Sequence, residues 1–473
     1  MGYDEFVAYY RPILDFTEDE FQTFCDFLKI PLLSALRITE SKFKGRVEKK
    51  LKDLKKNKYF ADVYEASKKN LPHRNFIVNQ TRVGHIQRQE VVSMLPVILM
   101  GMKKEFSVLD MCAAPGSKTK QLLEMIGDEG LVVCNEVSEN RLHVLVSETC
   151  KIPRKSFIVV KHDASKLPVF KNDFDRVLCD VPCSGDGTSR KNPEVIPTWN
   201  INNSLSLCNL QYKILKRALK FVKHDGLIIY STCSMNPIEN ECIVQRVVLE
   251  EDLEIVDLRD NVNEKFLSKK FKFREGLTKW DLEDIGLSKC IRVYPHDQNT
   301  GGFFIVGLRK KTPKKQDIHW GKPRLPIYIV DDKLREKLSK EYDIKDKTLI
   351  QRRKGATIIY EVSKEVLTIV KKTSLNVMYF GYKLFERCSL CESGFYLKTV
   401  TDEFRNRPHD LELSGETLVE GIEKKTVETK HQKGSVLVLL KEFDTLVSGY
   451  SHGDKITLNI NDKLQRALRD YIR

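Results

Sequence analysis

Residues 106 to 308 repeat one pattern. A short apolar run meets a turn of small or polar residues, and a longer amphipathic stretch follows. The runs are Ser107–Asp110, Leu131–Asn135, Phe157–Val160, Arg176–Cys179 and Leu227–Tyr230. Strands alternating with helices at this spacing predict an α/β domain with a mostly parallel sheet. Near the end of the segment, CIRVYP and GGFFIVGLRK flank a Gly-rich turn and predict an antiparallel hairpin at one side of that sheet.

The flanks read differently, and 473 residues exceed one ordinary core. Residues 1–100 read as a helical, basic N-terminal region. Phe21, Phe24 and Phe27 share one helix face, and GHIQRQEVVSMLPVILM has the periodicity of a helix. Residues 101–310 hold the α/β pattern. RKKTPKKQDIHWGKPR, from Arg309 to Arg324, reads as a linker. From 325 to 473 the runs ATIIYEV, VLTIV, SVLVLL and KITLNI alternate with polar turns and predict a small β-rich domain.

The formal charge of +14 points to a polyanionic partner, most simply nucleic acid, against a merely Lys-rich soluble protein. Arg37 to Arg74 holds thirteen Lys/Arg against five Asp/Glu, with Tyr59, Phe60 and Tyr64 among them. That mixture suits an RNA-facing surface, or equally a solvated lysine face whose aromatics enter the core. No apolar run suffices to span a bilayer, and MGYDEFVAYYRP lacks the layout of a signal peptide or a myristoylation site, so no membrane association is expected. The 12 cysteines are dispersed and read as reduced thiols. Cys388 and Cys391 form a lone CxxC without a second pair, so no metal is expected.

Five strand ends carry candidate chemistry. The first opens into VLDMCAAPGSKTKQLLE, where Cys112, Ala113, Ala114, Pro115, Gly116, Ser117 and Lys118 form a small-residue loop before a helix. Such a loop lets backbone approach a ligand closely, at a helix N-terminus. Glu136 closes the second strand, where a carboxylate suits ribose hydroxyls. Asp163 follows the third, placed for an adenine amino group, and Asp180 ends the fourth. Without a GxxxxGK[ST] sequence, a nucleoside cofactor lacking phosphates fits best, namely S-adenosyl-L-methionine. Cys183 in DVPCSGDGTSR and Cys233 in YSTCSMNPIENE each lie just past a strand, at the same sheet edge. Cys112, Cys134, Cys179 and Cys242 read instead as buried structural thiols.

DMCAAPGSKT, DVPCSGDGT and STCSMNPIENE resemble the three core motifs of the Sun family of RNA (cytosine-5)-methyltransferases. RVYPHDQNTGGFFIVGLRK resembles that family's closing motif. PCSGDGTSRKN together with REGLTKW is most similar to the eukaryotic tRNA branch, and the resemblance covers about residues 30 to 310. It implies a Rossmann-like class I methyltransferase fold. Cys233 matches the nucleophile that adds to carbon 6 of cytosine, making carbon 5 nucleophilic, and Cys183 matches the cysteine that assists release. The loop Cys112 to Lys118, with Glu136, Asp163 and Asp180, matches the cofactor site. Lys118 is one candidate activator of a thiol, and Asp180 could hold the target base's polar edge. Ser189, Arg190 and Lys191 could reach the target strand or form an exposed loop. The tRNA branch further implies tRNA as partner, nuclear or nucleolar residence and a C-terminal extension, for which a PUA-like fold is one expectation. A monomer is the default. Ribosomal RNA as substrate, or a catalytically silent RNA-binding or assembly factor, are the alternatives.

Overall fold

The computed structural model describes residues 2–472 except 68, 70, 172, 280–284, 313–321, 343, 345, 388–394, 399–410, 433 and 444. The CxxC at Cys388 and Cys391, Trp280 and most of the basic linker lie outside the described residues. Among the described residues no helix is long and apolar enough to cross a membrane.

The N-terminal region opens with α1 (Gly2–Tyr10) and α2 (Glu18–Lys29). Phe21 and Phe24 of α2 are buried with Phe6 and Tyr10 of α1, whereas Phe27 is only half-buried. The expected helical region then departs from expectation. β1 (Ser34–Ile38), β2 (Lys55–Lys56), β3 (Val63–Ala66) and β4 (Ile86–Arg88) form an antiparallel sheet in the order β2-β3-β1-β4, beside α3 (Lys44–Lys50) and α4 (Arg74–Val83). These strands are two to five residues long and rich in charge, so no period-2 apolar signal exposes them. The stretch GHIQRQEVVSMLPVILM is split accordingly. Gly84, at φ 94°, ends α4, β4 pairs with β1, and only Leu95–Leu99 forms α5, with Pro96 in its first turn.

The central domain follows as β5 (Ser107–Asp110), α6 (Ser117–Met125), β6 (Leu131–Asn135), α7 (Glu139–Thr149), β7 (Phe157–Val160), β8 (Phe174–Asp180), α8 (Ile201–Ala218), β9 (Val222–Thr232) and α9 (Glu241–Glu250). β10 (Leu253–Val256), β11 (Arg274–Glu275), β12 (Ile291–Val293), α10 (Pro295–Gln298) and β13 (Phe303–Lys310) complete it. The sheet order is β11-β12-β13-β9-β8-β5-β6-β7, with β10 also on β13 and a strand of the C-terminal region, β17 (Val377–Phe380), added beyond β7. Strands β9, β8, β5, β6 and β7 are mutually parallel, and the hairpin strands β12 and β13 are antiparallel. Every residue of β6 and β7 is buried, as a sheet covered on both faces requires.

The C-terminal region holds β14 (Tyr328–Ile329), α11 (Asp332–Tyr342), β15 (Thr348–Gln351), β16 (Ile358–Val362), α12 (Lys364–Lys372), β17 (Val377–Phe380), β18 (Tyr382–Arg387) and β19 (Phe395–Leu397). After these come β20 (Leu411–Leu413), α13 (Gly415–Lys424), β21 (Thr426–Glu428), β22 (Gly434–Leu440), β23 (Thr445–Ser451), β24 (Lys455–Leu458) and α14 (Asp462–Ile472). They build two five-stranded sheets. The run VLTIV is helical, not a strand. Ser363 caps α12 by accepting from the Val366 N–H, and Val366, Ile369 and Val370 are buried at helical spacing. β17 leaves its own region and adds antiparallel to β7 at the edge of the central sheet.

Candidate active site

β6 and β7 lie to one side of β5, and β8 and β9 to the other. The chain order therefore reverses between β5 and β8, which opens a crevice beyond their carboxyl ends. The loop after β5 enters α6 at Gly116, whose φ of 104° is strained for other residues. A Cβ there would also meet Leu145 Cδ1 of α7 at 3.0 Å. Across the crevice, the Lys118 ammonium donates to Asp180 Oδ2 at 2.7 Å, and the Ser231 hydroxyl donates to Oδ1 at 2.9 Å. Burial works to lower the Lys118 pKa, but the charges of Asp180 and Cys233 more than offset it and hold the ammonium protonated.

The carboxylates at the successive strand ends surround this loop. Glu136 is buried and accepts the Ser138 N–H at 2.8 Å, with Arg141 3.6 Å away. Asp163 uses Oδ1 for the Ser165 N–H and hydroxyl, at 2.9 and 2.7 Å. Asp110, not singled out by sequence, ends β5 fully buried. Its Oδ2 accepts from Thr119, while Oδ1 has no well-formed hydrogen bond among the described residues, the nearest donor being the Cys112 backbone. Burial raises its pKa to about 7. An orphaned carboxylate oxygen, a glycine cradle and two further carboxylates fit a polyhydroxylated, amine-bearing ligand such as a nucleoside.

The two thiols meet. Cys183 Sγ and Cys233 Sγ are 3.2 Å apart, well beyond the ~2.05 Å of a disulfide, and both are half-buried. Backbone brings them together. The Gly187 N–H donates to the Cys233 carbonyl at 3.0 Å, and the Gly187 carbonyl accepts from the Gly302 N–H at 2.8 Å. A Cβ on Gly187 would fall 2.5 Å from Gly302 O and 2.7 Å from Cys233 O, so only glycine permits this approach. The sulfur of Cys233, then burial, push the Cys183 pKa well up. Cys183 is thus held protonated, and either thiol can donate to the other across this contact.

Three buried acidic residues, none of them picked out by sequence, hold these loops. Glu239 accepts from the Ser184 N–H (2.8 Å), Ser184 hydroxyl (2.5 Å), Gln211 amide (2.9 Å) and Ser204 hydroxyl (3.2 Å). Four donors compensate a carboxylate with no solvent exposure. Asp186 accepts from the Met235 N–H at 2.6 Å, and Glu241 forms a two-bonded pair with Arg292. The polar run NPIENE gave no sign of burial, because such runs usually face water.

Other expectations are corrected. Arg190 is no strand-reaching side chain. It is buried and donates to Ile30 O (2.8 Å), Thr300 O (2.8 Å) and Asn299 Oδ1 (2.6 Å). Ser189 is buried too, and only Lys191 is exposed. Cys134 and Cys179 are buried as expected, Cys112 is half-buried, and Cys242 is exposed because its position on α9 faces outward. In the basic N-terminal segment Phe60 and Tyr64 enter the core, and Arg37 is a buried two-bonded partner of Glu124, whereas Lys42, Arg46, Lys49, Lys52, Lys55, Lys56 and Lys58 are exposed. A cavity of about 1020 Å³ lies at the opposite, amino-terminal edge of the sheet, beside Arg37, Lys104, Glu124 and Asn261. Among the described residues, Glu20, His296 and Asp297 are grouped closely enough to ligate a metal, but the Arg274 guanidinium already sits between them.

Comparison with known proteins agrees with this geometry. Residues 97–309 match the profile of the family described as 16S rRNA methyltransferase RsmB/F. The Saccharomyces cerevisiae multisite-specific tRNA:(cytosine-C(5))-methyltransferase is 35% identical over 376 residues, covering 65% of this chain and 55% of its own length. The Drosophila melanogaster tRNA (cytosine(34)-C(5))-methyltransferase is 37% identical over 292 residues, covering 50% of this chain and 38% of its own. The chain thus spans about half or less of the length of these curated relatives. The crystal structure of NSun6 from Pyrococcus horikoshii with SFG shares the fold at a TM-score of 0.52 and 19% identity, covering 65% of this chain and 97% of that one. By its motifs, its sheet order and this match, the segment 97–309 belongs to the RsmB/F family, the Sun family of the sequence motifs, on a Rossmann-like class I methyltransferase fold.

Proposed function

We propose that the chain transfers a methyl group from S-adenosyl-L-methionine to carbon 5 of cytosine in tRNA, through a covalent cysteine adduct at carbon 6. The observation that carries this reading is the contact of Cys183 and Cys233 at the carboxyl edge of the sheet, beside the Lys118–Asp180 pair. Bound in the crevice, the cofactor supplies an electrophilic methyl carbon. Glu136 and Asp163 would hold its ribose and adenine, and the Cys112–Lys118 loop its remainder.

Cys233 is the nucleophile. Its sulfur adds to carbon 6, and the electron pair of the 5,6 double bond moves to carbon 5, which takes the methyl group. Asp180, fixed by Lys118 and Ser231, faces the base's polar edge. The Lys118 ammonium interacts electrostatically with Cys233 and is the candidate activator of its thiol. The carbon-5 proton then passes to solvent, its bonding pair reforms the 5,6 double bond, and the carbon–sulfur bond breaks with its pair returning to the Cys233 sulfur. Cys183, protonated and in contact with the departing sulfur, returns a proton to it. The target base must leave its stack to reach this corner, which costs least in loops and junctions of RNA. The similarity to two tRNA enzymes supports the substrate.

A second reading, the same chemistry on ribosomal RNA, is favoured by the description of the matched family. Transfer of labelled methyl groups to unmodified tRNA and, in parallel, to unmodified ribosomal RNA separates the two. Methyl-5-cytosine in tRNA alone supports the proposal. Incorporation confined to ribosomal RNA selects the second reading, and none into either RNA leaves an RNA-binding or assembly factor.

A further inference from the structure

The N-terminal helices are packed onto the thiol corner itself, not onto a remote face. Gly2 of α1 lies so close to the loop after Pro193–Val195 that a Cβ there would clash with the Pro197 carbonyl oxygen. Phe6 packs edge-on against Trp199, and the Tyr9 hydroxyl donates to Asn236 Oδ1 at 2.9 Å. Tyr10 is fully buried, and its hydroxyl donates to Asp186 Oδ2. Trp199 Nε1–H lies 3.4 Å from the same oxygen. The other oxygen, Oδ1, accepts the Met235 N–H, two residues past Cys233. Asp186 itself sits three residues past Cys183, and the next residue, Gly187, donates to the Cys233 carbonyl. One carboxylate therefore joins α1, the Cys183 loop and the Cys233 turn.

We propose that Tyr10 is a positioning residue of the two-thiol corner: through Asp186 its hydroxyl fixes the Cys233–Met235 turn and so the direction from which Cys233 reaches the target base. This rests on the reading of Cys233 as nucleophile. α1 is in that case a component of the active site, and a substrate base meets a nucleophile whose turn is held from behind by the N-terminal region.

Three donors surround Asp186, so it acts as an ionised acceptor. Burial raises its pKa to about 6, while the bonds from Tyr10 and Met235 restrain the rise. The titratable and charged groups around it are Tyr10 and Tyr9 of α1, Glu239 past β9, and, further off, Arg292 with its partner Glu241. Below about pH 6 the carboxylate gains a proton and gives up an acceptor site. Removing the Tyr10 hydroxyl takes away a bond that lowers this pKa, so the acid limb moves to higher pH.

The test uses the full chain carrying Cys183→Ala, in which the Cys233 adduct with tRNA should accumulate, and follows the rate of adduct formation against pH. Adding Tyr10→Phe, which keeps the buried ring, is expected to slow the rate roughly tenfold, the order expected for one hydrogen bond to a buried carboxylate. It should also shift the acid limb upward, with tRNA affinity unchanged. Adding Asp186→Asn instead should slow the rate and abolish that limb. A Tyr10→Phe protein with unaltered rate and pH profile, or one slowed only in proportion to its unfolded fraction by circular dichroism, overturns the proposal. Adduct that persists when Cys233→Ala is combined with Cys183→Ala refutes the nucleophile assignment instead, which is a separate outcome.

Discussion

At the level of single residues, the site depends on buried groups that hold the two thiol loops from behind. Glu239→Gln keeps the shape but turns one acceptor oxygen into a donor amide facing Ser184, Ser204 and Gln211. Unfolding in denaturant should register a loss of ~1–3 kcal/mol, and methyl transfer should fall with it. Arg292→Met leaves Glu241 charged and buried without its partner, and a loss of ~3–5 kcal/mol is expected by the same measurement. Gly187→Ala makes a different prediction. Its Cβ meets the backbone of Gly302 and Cys233, so the turns carrying the two thiols must separate. Adduct formation should drop more than tenfold while the sheet remains folded, as read by far-ultraviolet circular dichroism. Cys183 and Cys233 were legible because a thiol beside Pro, Ser and Gly past a strand is unusual. Their supporting carboxylates were not, since local sequence does not show that Asp186, Glu239 and Glu241 are covered by α1, α8 and β12.

Among elements, strands fully buried on both faces announced themselves as apolar runs, and the parallel core follows the sequence reading strand by strand. What escaped were pairings set by distant chain. β1 to β4 are short, charged and held by one another, and β17 pairs with β7 across more than 200 residues. α12 looked like a strand because Val, Thr and Ile dominate it, yet its Ser363 cap and the spacing of its buried residues decide for helix. β17 also touches the cofactor edge indirectly, since the Asn376 N–H donates to His162 Nε2, beside Asp163. Phe380, fully buried in β17, is the lever for testing this. Phe380→Asp should undock the strand and speed amide exchange across Phe157–Val160, leaving exchange in β8 and β9 slow.

Across the whole molecule, the surplus of +14 makes RNA affinity a matter of salt. Under the proposed function, the exposed lysines between Lys42 and Lys58 are the candidate phosphate contacts of the N-terminal region, although the aromatics among them belong to the core. Affinity for tRNA should fall at least tenfold between 50 and 200 mM salt, by roughly 0.7 log units per log unit of salt for each single-strand phosphate contact. Lys52→Gln with Lys55→Gln and Lys56→Gln should lower that slope in a filter-binding titration and leave turnover at saturating RNA unchanged. The roles of the two sulfurs, however, decide the mechanism. It is tested most directly by mixing unmodified tRNA and S-adenosyl-L-methionine with wild type, Cys183→Ala and Cys233→Ala, and resolving protein–RNA adducts on a denaturing gel. A stable adduct is expected with Cys183→Ala and none with Cys233→Ala. A stable adduct formed by Cys233→Ala and absent from Cys183→Ala would contradict this, reversing the roles of the two thiols.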